Sequence, residues 1–238
     1  MSNFAYIVIA LLKRSPLFLF LYAKESLAFD LLHGTNTHLR APKLEQPGTE
    51  TERKDGVLYV ASWTSVVRRA LALSETVLGE ERFREAQFFD LGCGKGKALL
   101  VYAMYYGPRA NPAAVGIDYD RALCEIAEKN ILKLGPAANR VVVHCDSALN
   151  IGNYIKAGTL IIYLYNPFQG ETLRCTLNRI AKYPHVLIYV DPVEKHILPD
   201  YGYEIHAFHQ GRYHADTWLL ALNQVSGKTT QVDSSAIG

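Results

Sequence analysis

Residues 86–97 run Ala-Gln-Phe-Phe-Asp-Leu-Gly-Cys-Gly-Lys-Gly-Lys: an apolar strand end, an acid at Asp90, then glycines alternating at Gly92, Gly94 and Gly96. Glycine tolerates positive φ and has no Cβ, so such a loop lets a ligand lie against bare backbone at the carboxyl end of a strand. A helix-like run follows, from Lys97 to Met104. Strand, glycine loop and helix together describe a nucleotide-type cofactor site at a first β-α turn. A dinucleotide fingerprint, Gly-x-Gly-x-x-Gly, asks for Gly or Ala at position 97, and this chain has Lys97.

Further acids stand at matching places. Ala113-Ala114-Val115-Gly116-Ile117 ends in Asp118, 22 residues after Gly96. A carboxylate at the end of a second strand accepts hydrogen bonds from both hydroxyls of a ribose. The β-branched run Val141-Val142-Val143 leads through His144-Cys145 to Asp146-Ser147, and Leu160–Tyr165 ends in Asn166-Pro167-Phe168. Acids at the ends of three successive strands, on one edge of a sheet, point to a ligand rather than to solubility.

Asp90-x-Gly92-x-Gly94-x-Gly96 resembles motif I of the class I S-adenosylmethionine-dependent methyltransferases. The resemblance covers roughly residues 57–223. It implies a Rossmann-like seven-stranded α/β sheet and S-adenosylmethionine as cofactor. It also implies that Asp90 and the loop Gly92, Cys93, Gly94 and Gly96 hold the methionine end, with the Cys93 backbone rather than its sulfur facing the ligand. Asp118, with Tyr119 beside it, would take the ribose, and Asp146 with Ser147 the adenine edge. Within the family the chain resembles a bacterial group of unassigned substrate. The matches are Phe29-Asp30-x-x-x-Gly34-x-x-Thr37 ahead of the core, a strap Gly56-Val57-Leu58-Tyr59 that brings Tyr59 to the cofactor, and Tyr165-Asn166-Pro167-Phe168. Asn166-Pro167-Phe168 also resembles the Asn-Pro-Pro-aromatic motif of amino-group methyltransferases, with one proline fewer. It marks Asn166, Pro167 and Phe168 as facing the methyl acceptor, with Asn166 also near the cofactor. A nitrogen acceptor on a protein side chain or small molecule is the first expectation. A non-catalytic S-adenosylmethionine binder and a nicotinamide-dependent oxidoreductase are the alternatives.

Elements must position these residues. The chain has 238 residues, 49% hydrophobic and 20% charged, enough for one α/β domain with an extension. Strand-like and helix-like runs alternate through Val186–Val190, then Tyr203–Phe208 and Tyr213–Leu222 read as a closing antiparallel hairpin. Ser62 or Thr64 is placed to cap the helix running to Leu78. The domain reading is an apolar helical extension over 1–40, a linker or mobile loop over 41–56, the methyltransferase domain over 57–223, and a disordered tail over 224–238. Residues 4–23 are the most apolar stretch, but Lys13, Arg14 and Pro16 interrupt it, so it reads as two short helices rather than a span. Such a segment suits contact with the core, a second copy or a membrane surface. The expected compartment is the cytoplasm, with Cys93, Cys124, Cys145 and Cys175 as free thiols. A net charge of +2 carries no electrostatic footprint for nucleic acid. His206 and His209 fall on opposite faces of a strand, which disfavours shared metal ligation.

Overall fold

The computed structural model describes residues 16–39, 49–107 and 113–223. The apolar run 4–23 is thus described only from Pro16, and residues 41–48 and 224–238 lie outside the described residues.

Seven strands form one sheet: β1 (Gln87–Leu91), β2 (Ala114–Asp118), β3 (Val141–Cys145), β4 (Leu160–Tyr165), β5 (His185–Val190), β6 (Tyr203–His209) and β7 (Trp218–Asn223). Their order is β3-β2-β1-β4-β5-β7-β6. β1 to β5 are parallel, and β7 runs antiparallel between β5 and β6. This is the seven-stranded Rossmann-like sheet expected of the sequence. The strand order reverses between β1 and β4, the switch point at which open α/β sheets bind ligands beyond their carboxyl ends.

Apolar continuity explains the central strands. Leu160 to Leu164 are all buried, as a parallel strand covered on both faces requires. Adjacent residues serve opposite layers: Phe88 packs in one core with Val101 and Leu71, Phe89 in the other with Leu173 and Leu177. Each such side chain contributes roughly 1.5–3 kcal/mol on full burial. The first layer holds α4 (Thr64–Leu78), α5 (Glu80–Glu85) and α6 (Lys97–Tyr105), and the second holds α8 (Gly170–Ile180). α7 (Arg121–Lys133) follows β2 and is capped by Asp120, whose Oδ1 accepts from the Leu123 amide at 3.0 Å.

Three local expectations are corrected. Tyr213 does not begin a strand: His214–Asp216 form a 3-10 turn, closed by the Tyr213 amide donating to Asp216 at 2.8 Å, and β7 starts at Trp218. Part of the presumed loop 41–56 is the helix α3 (Glu50–Asp55), set by a capping box between Thr49 and Glu52. Neither Ser62 nor Thr64 caps α4. The Glu25 carboxylate does so from the extension, accepting from the Ser65 amide at 2.9 Å, while Ser62 accepts from Tyr163.

Glu25 belongs to a helical unit of α1 (Pro16–Tyr22), a π-helical turn (Ala23–Leu27) and α2 (Ala28–His33), which ends at Gly34 with φ 65°. The chain then wraps around Asp30. Its carboxylate accepts from Thr35 Oγ1 at 2.6 Å, from the Thr37 amide at 2.6 Å, from Thr37 Oγ1 and the His38 amide, and pairs with the His38 ring. Burial alone would raise its pKa, but these hydrogen bonds outweigh burial and hold the carboxyl well below the usual range. The loop so formed docks on the glycine loop. Lys95 donates to the Leu39 carbonyl at 2.6 Å, and Asn130 bridges Asn36 and the Lys95 carbonyl.

Candidate functional site

A concave space of about 900 Å³, partly open to solvent, lies at the carboxyl edge of β1, β2 and β4. Of the residues expected from the sequence, Tyr59, Asp90, Gly92, Cys93, Asp118, Tyr119, Asn166, Pro167 and Phe168 line it. Gly94, Gly96, Asp146 and Ser147 are not part of its wall. Asp146 is turned to its own loop: it accepts from Tyr154 at 2.6 Å, from Asn150 at 2.8 Å and from the Ser147 amide. Ser147 donates its hydroxyl to Glu52.

The glycine loop has the geometry that its sequence requires. Gly92, Gly94 and Gly96 have φ of 72°, 53° and 80°. Two of the spaces left by missing Cβ atoms are filled by protein. A Cβ on Gly92 would lie 2.2 Å from Pro167 Cβ, and one on Gly94 2.2 Å from the Tyr59 ring. The loop is held to the second strand by Asp118, whose Oδ2 accepts from the Gly94 amide at 2.8 Å and Oδ1 from the Asp120 amide at 2.9 Å. Burial pushes the Asp118 pKa up to about 6, and those two bonds pull the other way.

Asp90 differs from every other acid in the wall. It is 4% exposed, and its carboxyl group has no hydrogen-bond partner among the described residues. Burial, and then the charge of Asp118, push its pKa well above the carboxylate range. A cationic or donor-rich ligand group would offset the cost of that unpaired buried acid. Asp120 presents a similar case on one atom, since its buried Oδ2 also lacks a partner among the described residues. Burial raises the Cys93 thiol, followed by the charges of Asp118 and Asp90, so that side chain is no nucleophile.

A strap crosses the cavity and is fastened along its length. Glu52, in α3, accepts from Ser147. Burial would raise the Glu52 pKa, but the bonds from Ser147 and Thr49 lower it. Asp55 accepts from the Thr172 amide and hydroxyl at 2.9 Å, Gly56 bridges Phe168, and the Val57 amide donates to the Pro167 carbonyl at 3.0 Å. Tyr59 ends the strap with its hydroxyl on the Thr37 carbonyl at 2.8 Å.

On the β4 side, Asn166 is 5% exposed and left-handed at φ 37°, a region that Asn enters more readily than most residues. Its Nδ2 donates to Asp191 Oδ2 at 3.1 Å, and its Oδ1 accepts from Gln169 at 3.2 Å. Asp191, at the end of β5, has φ 49° and also pairs with the exposed His214 through Oδ1 at 2.9 Å. Non-glycine residues held at positive φ on adjacent strand ends are strained, and strain of this kind collects at functional sites.

The sequence reading missed Glu52, Asp120 and Lys97 as wall residues. Thr49-x-x-Glu52 carries a capping-box signal, and Asp120 precedes a helical run, so both had a local cue. The Asp191–His214 pair had none, because 23 residues separate its members.

No family model matches the sequence, and no curated protein matches it. Solved structures resemble it in fold. The ribosomal protein L11 methylase of Lactobacillus delbrueckii subsp. bulgaricus is 12% identical over 67% of this chain and 77% of its own, with a TM-score of 0.49. A methyltransferase from Geobacter sulfurreducens is 18% identical over 67% of this chain and 78% of its own, at TM-score 0.48. Magnesium protoporphyrin IX methyltransferase from Synechocystis PCC 6803, crystallised with bound SAM, is 15% identical over 87% of this chain and 96% of its own, at TM-score 0.47. At these values the likeness carries no argument about chemistry.

Proposed function

We propose that this chain is an S-adenosylmethionine-dependent methyltransferase. The observation that carries the reading is Asp90: a buried carboxylate without a hydrogen-bond partner among the described residues, in the cavity at the sheet's switch point, beside a glycine loop at positive φ. The residues present fit the cofactor. Asp90 would take the α-ammonium of its methionine end. Asp118 keeps lone pairs that ribose hydroxyls could use, and Tyr119, Ile117, Leu123 and Ala148 would give the base a largely apolar bed.

The bound cofactor supplies an activated methyl group on a sulfonium. The protein's task is then to position an acceptor and to exclude water. Asn166, Pro167 and Phe168 form the wall on the acceptor side. With its Nδ2 on Asp191, Asn166 keeps a lone pair on Oδ1 beyond the Gln169 bond, enough to accept from an NH group. That favours an amine or amide nitrogen as acceptor: Asn166 Oδ1 would accept from its NH and hold the nitrogen facing the activated methyl group.

Calorimetry with S-adenosylhomocysteine and NAD tests the cofactor. We expect the former to bind and the latter to bind far more weakly; the reverse order would overturn the reading. Methyl-labelled cofactor incubated with protein and small-molecule fractions of a lysate then separates an enzyme from a silent binder.

A further inference from the structure

The helical unit of residues 16–33 is apolar on both of its sides. The inner side packs on the domain: Phe29 belongs to the core, Phe18 and Leu21 pack against it, and the Glu25 carbonyl accepts from the Lys97 ammonium at 3.2 Å. The outer side exposes Leu17, Phe20, Lys24, Leu27 and Leu31, at steps of three, four, three and four residues, with Leu32 beside the last. Such steps keep side chains on one side of a helical segment. Phe20, Leu31 and Leu32 are 65%, 75% and 79% exposed, so none of the described residues covers them.

The charges of the unit are sorted by side. Its acids, Glu25 and Asp30, are buried against the domain, where Glu25 caps α4 and Asp30 holds the loop that follows α2. Its exposed charge is Lys24, in the middle of the apolar stripe. In the sequence, residues 1–15 add Lys13 and Arg14 and no acid. Leucine, phenylalanine and lysine on one side, with the acids turned away, match the headgroup region of an anionic bilayer. Apolar side chains enter the acyl boundary there, and cations meet lipid phosphates. A second copy of the same face matches less well. A two-fold contact centred on the stripe would bury Lys24 against its own counterpart, two like charges out of water. At a bilayer the lysine stem lies along the apolar surface while the ammonium stays among phosphates. No helix among the described residues is long and apolar enough to cross a membrane, so the contact is one along the surface.

We infer that the outer side of residues 17–32 docks this chain on an anionic membrane surface. The docking side faces away from the side that packs on the domain, so binding requires no rearrangement of the domain or its cavity. Neither cofactor nor methyl acceptor takes part in the contact.

Flotation of the full-length protein tests it, with vesicles of phosphatidylcholine alone and of phosphatidylcholine mixed with phosphatidylglycerol. The protein should float with the mixed vesicles and far less with the neutral ones, and added salt should weaken the binding. Leu31→Ser together with Leu32→Ser should lower binding to the mixed vesicles about tenfold or more. The melting temperature should not change, since both side chains stand in solvent in the fold. Leu31→Trp keeps the face apolar and gives a second reading. Its emission should shift to the blue on the mixed vesicles, against the constant signal of the buried Trp63 and Trp218. A wild type that does not float, one that floats equally with neutral vesicles, flotation that the serine pair leaves intact, or a Leu31→Trp emission unmoved by vesicles would each overturn the assignment. So would self-association in sedimentation that the serine pair abolishes without any vesicle binding, which would give the face to a second copy. Affinity for S-adenosylhomocysteine decides the methyl-transfer reading separately from all of these outcomes.

Discussion

Asp90→Asn should make the empty protein more stable and a poorer binder. The amide has the shape of the carboxyl group but no charge to bury, and the Asp90 carboxyl has no hydrogen bond among the described residues for the change to break. Relief of an unsatisfied buried polar charge is worth about 1–3 kcal/mol. The sign with pH is fixed by the raised pKa. Between the unfolded value of 3.8 and the higher folded value, the native state holds the extra proton, so wild-type stability falls as pH rises. The variant lacks that loss, so its advantage should be small near pH 4 and larger at pH 8. Affinity for S-adenosylhomocysteine should fall by about 1.5–3 kcal/mol, the worth of a hydrogen bond to a charged group. Thermal unfolding across pH and calorimetry on the same samples provide both numbers. A variant that loses stability and binds normally would refute the reasoning, because Asp90 would then be a structural residue with no ligand of its own.

Other expectations follow from the same geometry. Gly94→Ala should cost about 1–3 kcal/mol, since its Cβ would strike the Tyr59 ring and its φ of 53° resists a side chain. Adding Tyr59→Ala should recover part of that loss in thermal melts, and no recovery would show that the ring is not the obstacle. Asn166→Gly should keep the left-handed backbone and cofactor affinity while lowering methyl transfer about 10²-fold, as for other placed polar groups; undiminished turnover would end its role. His185 is fully buried between the Tyr183 carbonyl and the Tyr203 hydroxyl, and burial lowers its pKa to about 4. The stability it contributes is present above the unfolded value of 6.5 and is lost as pH falls from there toward 4, at most ~3 kcal/mol. His185→Gln should flatten that slope in chemical denaturation, and an unchanged slope would assign it elsewhere.

Much of the sheet was legible because parallel strands announce themselves. Leu160–Leu164 and Val186–Val190 are apolar without interruption, and only burial on both faces permits that. The glycine loop was legible because positive φ selects the residue type. What stayed hidden was long-range polar pairing. Nothing local says that Glu25 caps a helix 40 residues on, or that Asn166 turns to Asp191. Asp146 shows the converse: its place at a strand end suggested an adenine contact, but Tyr154 and Asn150 occupy its oxygens.

The docked extension also bears on when its partners become available during synthesis. Asn36 meets Asn130 across 94 residues, and Leu39 meets Lys95 across 56. As the chain leaves the ribosome, the Asp30 loop can close on itself at once, because its contacts span 5 to 8 residues. Its partners do not yet exist. The extension must wait through the synthesis of β1, β2 and α7 while Leu31 and Leu32, 75% and 79% exposed even in the finished fold, remain in solvent. The central pairing of β1 with β4 sets Gln87 against Leu160 and waits longer still, so every residue of the wall that anchors Lys95 and Lys97 is made before the sheet beneath it can be completed.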